Sequence, residues 1–184
     1  MPTLRVTTVL FLVAILCFGC SGELRQVTST RERPTVASSA ADVPFRVVDQ
    51  AAPLGDHPKE PVYAVITRPE DWEAIKERIP NQVFDQGKMK ADYEKEVYLL
   101  VYAGVKGSSG YAINVAKLSV EKEQYIVIIA EESPAPNAVV EPAMTLPYIL
   151  LAVSRDARAS GQRLTFTFKD RAGKTLSQQD IQLP

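Results

Sequence analysis

Histidine, cysteine, net charge and long apolar runs are all scarce in this sequence, and each scarcity excludes something. There is one histidine, His57, in an irregular stretch beside Pro58. The only cysteines are Cys17 and Cys20, so nothing beyond residue 20 carries a thiol, a disulfide or a thiolate metal site. One histidine and no downstream cysteine rule out the commoner zinc sets and a cysteine–histidine nucleophile pair. A Ser-His-Asp triad would have to use His57, and no G-x-S-x-G turn occurs. With 21 basic and 22 acidic residues the formal charge is −1. Nucleic acid is therefore not an expected partner, because its binders carry a basic footprint. The longest apolar run, Val9 to Phe18, is about half the twenty residues a membrane-spanning helix needs.

That run belongs to an N-terminus with the order of a signal peptide. A positive start at Arg5 precedes it, small Gly19 and then Cys20 follow it, and the chain turns polar at once with Ser21, Gly22, Glu23 and Arg25. Leu16-Cys17-Phe18-Gly19-Cys20 resembles a lipobox, the bacterial signal for acylation of a cysteine and cleavage before it. Leu16 stands one position further out than the usual leucine, and the alternative is an ordinary secretory signal with Cys20 incidental. Cys20 is thus the expected lipid attachment site. Two or more acyl chains at about 0.8 kcal/mol per buried methylene anchor stably. Removal of the leader takes away Arg5 and leaves 20 basic against 22 acidic residues, so lipid rather than charge would hold the protein to the cell envelope. Serine after the cysteine points to the outer membrane where the host has one.

Residues 1–19 are therefore read as signal peptide and 20–43 as lipidated cysteine and flexible linker. The linker is rich in Ser, Thr, Ala, Arg and Pro, with almost nothing large and apolar. Its r.m.s. span is roughly 25 Å. Residues 44–184 form the expected globular domain. Pro44 to Asp49 suits an edge strand, 51–60 is irregular, and Val62 to Thr67 suits a strand. Pro69 to Ile79 reads as a helix, with Pro69 at its first position, acidic Glu70 and Asp71 in its first turn and Arg78 in its last. Trp72, Ile75 and Ile79 make one apolar stripe, and Pro80 stops it. Val97 to Ala103, Tyr125 to Ala130 and Tyr148 to Val153 are apolar at both parities, the pattern of strands covered on both faces. The apolar parity of Tyr111 to Val120 shifts near Ala116, which implies a bulge. Leu164, Phe166 and Phe168 alternate with Thr165 and Thr167, one buried face against one wet. Asp170 to Gly173 turns into a last strand, Thr175 to Leu183. The fold class is mainly β (α+β), an antiparallel sheet or sandwich with one packed helix.

Counting strand directions places two irregular segments together. The loop Gly104 to Gly110 starts a strand that turns at Glu121 to Glu123, and the strand returning from that turn ends near Glu132. Residues 133–147 should therefore share an end of the domain with 104–110. Binding residues favour loops held by a rigid sheet, so the candidate contacts are Gly107, Ser109, Gly110, Tyr111, Val139, Val140, Met144, Pro147 and Tyr148. No catalytic residue, metal or cofactor is expected. Gly107-Ser108-Ser109-Gly110 lacks the following Lys-Ser/Thr of a phosphate loop and leads into a strand rather than a helix. Glu131 and Glu132 are adjacent and would point to opposite faces of their strand.

The region 66–154 resembles the PrcB C-terminal domain family. The family's order of motifs appears as Glu70-Asp71-Trp72-Glu73, Val97 to Ala103, Ser109-Gly110-Tyr111-Ala112-Ile113, Glu131-Glu132-Ser133-Pro134 and Thr145-Leu146-Pro147-Tyr148. Ser109 replaces the family's first loop glycine. The resemblance implies a lipoprotein or secreted protein that helps an extracytoplasmic protease stay assembled. The expected function is a non-catalytic, lipid-anchored module that binds another extracytoplasmic protein. Two alternatives stand beside it. One is a protease inhibitor inserting the 104–110 loop, a placement similar to the end loops of chagasin-type inhibitors. The other is a carbohydrate- or cell-wall-binding module using Tyr98, Tyr102 and Tyr111.

Overall fold

A computed structural model describes residues 40–79, 90–155 and 161–184. The readings on residues 1–39, including the signal peptide, Cys20 and most of the linker, lie outside the described residues, as does Pro80. The described residues belong to one compact unit.

Nine strands are described: β1 (Ala41–Asp42), β2 (Phe45–Ala51), β3 (Val62–Ile66), β4 (Glu96–Tyr102), β5 (Ala112–Glu121), β6 (Gln124–Glu132), β7 (Tyr148–Ser154), β8 (Arg163–Asp170) and β9 (Thr175–Gln182). They form a five-stranded sheet ordered β1-β5-β6-β8-β9 and a four-stranded sheet ordered β2-β7-β4-β3. All pairs are antiparallel except β6 with β8. A helix, α1 (Glu70–Ile75), runs into a single 3-10 turn, Lys76–Arg78. The Asp71 carboxylate holds its start by accepting hydrogen bonds from Thr67 N, Thr67 Oγ1 and Arg68 N. The expected helix is thus two short pieces, and Ile79 still joins Trp72 and Ile75 on the buried side.

The core explains which strands are apolar at both parities. Between the sheets lie Leu99, Val101, Ile149 and Leu151 from one side and Ile113, Val127, Ile129, Phe166 and Phe168 from the other. The opposite face of the four-stranded sheet presents Tyr98, Leu100, Tyr102 and Leu150 to the helix stripe. β4 and β7 are the inner strands of that sheet and are covered twice, as expected. β6 differs. Val127 and Ile129 face the core, while Ile126 and Ile128 are only half-buried, because α1 packs on the other sheet. Thr167 also departs from its expected wet face. It is 2% exposed on an inner strand, where Gln124 Nε2 donates to its hydroxyl.

The bulge falls where the parity shift predicts it, between Val115 and Lys117. Ala41 and Asp42, within the stretch read as linker, pair with Val120 and Ser119. That pairing uses backbone groups, which a polar, small-residue composition does not advertise. Two glutamine side chains tie the sheets together at their open sides. Gln179 donates to Tyr63 O and accepts from Val65 N, and Gln50 donates to Ile113 O and Asn114 Oδ1.

Candidate functional site at the loop end of the sandwich

The loop 104–110 joins β4 in one sheet to β5 in the other, and residues 133–147 join β6 to β7 across the same gap. Both lie at one end, as strand counting predicts, and they are cross-bonded. Ser109 N donates to Glu141 O, and Glu141 N returns a bond to Ser109 Oγ at 2.9 Å. Thr145 is the pivot. Its backbone exchanges hydrogen bonds with Lys106 at 2.9 and 3.0 Å and forms a bridge to Leu54, while its hydroxyl donates to Ser108 O. The stretch 51–60, read from sequence only as irregular, is therefore a third member of the site. Gly55 N donates to Met144 O, and Leu146 N donates to Pro53 O.

This frame decides which predicted contacts face outward. Val139 is fully exposed and Met144 is 54% exposed, and Leu54 joins them at 65%. Gly107 has open space around it. Ser109, Tyr111 and Val140 are half-buried. Three of the expected contacts have structural work instead. Gly110 has φ +88°, and a Cβ there would come within 3.1 Å of Pro134 and 3.5 Å of Val140, so its missing side chain lets the two loops pack together. Pro147 is buried, with its carbonyl accepting Ala103 N. Tyr148 is buried under the same end, and its hydroxyl donates to Asp49 Oδ2 at 2.6 Å.

The tyrosine platform is not available either. Tyr98 and Tyr102 are fully buried beneath the helix layer. The Tyr98 hydroxyl donates to Glu96 and accepts from Asp92 N, and the Tyr102 hydroxyl donates to Pro58 O. Their parity on β4 is as expected, but the face they share is the one the helix covers.

Beside the loops, the mouth of the sandwich opens into a cleft of about 480 Å³. Its floor is the unroofed end of the core: Tyr63, Ala103, Ile113, Ile129 and Leu176. Its rim carries Lys106, Glu131, Asp170 and Arg171. Lys106 is the most constrained of these. Its ammonium lies 2.6 Å from Glu131, its side chain is 18% exposed, and it stands 5.9 Å from the centroid of the Tyr111 ring. Burial pushes the Tyr63 hydroxyl above its ordinary pKa, and the nearby carboxylates of Glu131 and Asp170 push in the same direction.

The cleft residues are absent from the sequence-based candidates, although a signal for them existed. Continuing the strand count through β7 and β8 brings the turn 170–173 back to this end, and the β2–β3 connection returns here too. His57, in that connection, is exposed with Nδ1 2.9 Å from Asp56 Oδ1. Among the described residues no group of three or more His, Cys, Asp or Glu could hold a metal ion.

Fold and site together define a two-sheet β-sandwich with one helix-covered face and a rigid, partly apolar loop end beside a cleft. Residues 97–154 match the family described as PrcB C-terminal. The match bears out the resemblance from β4 through β7. It begins at Val97 rather than Ile66, so the Trp72 helix lies outside it. No curated protein and no solved structure matches the chain.

Proposed function

We propose that the protein is a non-catalytic, lipid-anchored component of the bacterial cell envelope whose loop end binds or stabilises an extracytoplasmic protein. The family description makes a protease the first partner to test. One observation carries the reading: Leu54, Val139 and Met144 are exposed apolar side chains on two segments, 51–60 and 133–147, that backbone hydrogen bonds tie to each other and to the 104–110 loop. Apolar groups left in water on a rigid frame lose little entropy when a partner covers them. Proline at 134, 136, 142 and 147 stiffens the same loop. The position of the chain's entry supports the arrangement. Ala41 pairs with Val120 beside the Glu121–Glu123 turn, so a tether from Cys20 joins the domain a strand's length, roughly 33 Å, from the loop end. The loop end is then free to face away from the lipid.

A second reading, protease inhibition, draws on Gly107, which stands in open space on a loop fixed at both sides. Purified protein added to the protease separates the two. An assembly partner preserves or raises activity, and an inhibitor abolishes it. The surface itself is tested by affinity purification from the native envelope. Val139→Asp with Met144→Asp should lose the partner, while Lys122→Ala with Glu123→Ala at the opposite turn should keep it. Retention by the first pair and loss by the second would place the surface at the wrong end. Cys20→Ser should move the protein out of the membrane fraction. Continued tight membrane association would remove the anchor from the proposal.

A further inference from the structure

The cleft has a chemical bias that the exposed loop residues do not. We propose that it receives an aromatic side chain with a hydrogen-bond donor at its tip, a tyrosine or tryptophan of the bound protein. The apolar floor suits a ring. Ile113 and Ile129 are buried core residues that also line the cleft, and Tyr63 leans on Phe168 with centroids 5.5 Å apart. A ring laid there would extend an existing aromatic contact, in the tilted or offset geometry such pairs prefer.

The polar groups select the tip. The Tyr63 hydroxyl has no hydrogen-bond partner among the described residues, and the Glu131 and Asp170 carboxylates lie close enough to raise its pKa. Two carboxylates therefore stand near this hydroxyl on the cleft lining, and they offer acceptor oxygens to an incoming donor. Asp170 uses Oδ1 to accept the backbone N–H of Lys174. A donor is favoured over a cation because Lys106 already occupies Glu131 at 2.6 Å and Arg171 stands on the same rim. Two cations and two carboxylates leave no net charge for a third cation to answer. A phenol or indole satisfies the donor requirement without charge.

This inference rests on the loop end being the binding surface. The Val139 and Met144 variants read that surface, whereas small probes read the cleft alone, so either can fail without the other. Isotopically labelled protein would be titrated with N-acetyl-tyrosinamide, N-acetyl-phenylalaninamide and N-acetyl-argininamide while backbone amide shifts are followed. Tyrosinamide should give saturable shifts at Tyr63, Lys106, Ile113, Glu131 and Asp170. Its affinity should exceed that of phenylalaninamide by about three- to tenfold, the worth of one net hydrogen bond, and argininamide should not saturate. Ala172→Trp on the exposed rim should plug the cleft and abolish the response. Asp170→Asn keeps the Lys174 contact but replaces a carboxylate acceptor with an amide donor, and it should bring tyrosinamide down to phenylalaninamide. Absent or scattered shifts, equal binding of the two aromatic amides by the unaltered protein, or tightest binding of argininamide would each overturn the proposal. So would an unchanged tyrosinamide response in both variants.

Discussion

Gly104 and Gly107 belong to one loop, yet they should respond to the same substitution with opposite signs. Gly104 is buried with φ +75°, and a Cβ built on it would lie 2.4 Å from the Lys59 carbonyl oxygen. Two costs follow for Gly104→Ala. The left-handed conformation costs an L-residue about 1–2 kcal/mol. The contact is with backbone, which cannot swing aside, so the 59–61 segment must shift, at about 1–3 kcal/mol typical of overpacking. The expected loss is about 2–5 kcal/mol, or roughly 5–20 °C in Tm for a domain of this size. Gly107 has no positive φ and nothing within 4 Å. Gly107→Ala removes unfolded-state freedom at no native cost and should stabilise by about 0.4–1 kcal/mol. Thermal and urea unfolding of the two variants measure the contrast. If Gly104→Ala melts within about 2 °C of wild type, or both variants move together, the close approach of 59–61 to this loop is not what shapes the site.

Three further outcomes follow from the core and the turns. Trp72→Ala should cost about 3–5 kcal/mol, because Trp72 is 2% exposed and its Nε1 donates to Tyr93 at 2.9 Å. Trp72→Phe should lose about 1 kcal/mol or somewhat more with that bond, and a melting temperature for the alanine variant within a few degrees of wild type would refute the packing. Burial pushes Tyr98 and Tyr102 up to about 12, whereas unfolded tyrosines ionise near 10. The stabilisation linked to these hydroxyls is present below pH 10 and lost as pH rises from 10 through 12, since the folded state then holds the extra protons. Absorbance titration of the seven tyrosines should therefore show some still protonated at pH 11 while the protein is folded, and complete ionisation in folded protein at that pH would contradict their burial. Lys122 has φ +58° at the β5–β6 turn, so Lys122→Gly should be neutral or stabilising by up to about 1–2 kcal/mol, and clear destabilisation in urea would count against it.

Much of this architecture could be read from residue order because it follows from periodicity. The doubly apolar runs 97–103 and 148–153 become the two strands covered on both faces, the parity shift at Ala116 becomes a bulge, and strand counting brings 104–110 beside 133–147. Side-chain period and chain direction are local properties, and both survive into the fold unchanged. What tertiary structure decided is everything that depends on which surfaces meet. Tyr125 to Ala130 has the same pattern as β4, but the helix covers the other sheet, so Ile126 and Ile128 keep partial exposure. Tyr98 and Tyr102 share one strand face that could be a platform or core, and Tyr148 could be a contact or core, until that helix layer and Asp49 are in place. Gly110 reads as a site of close partner approach until Pro134 arrives against it from a segment some two dozen residues away in the chain. Lys106, Glu131, Tyr63 and Asp170 come from four separated segments, and no spacing rule links them. Only the closure of two sheets around one core brings their side chains to the rim and floor of a single cleft.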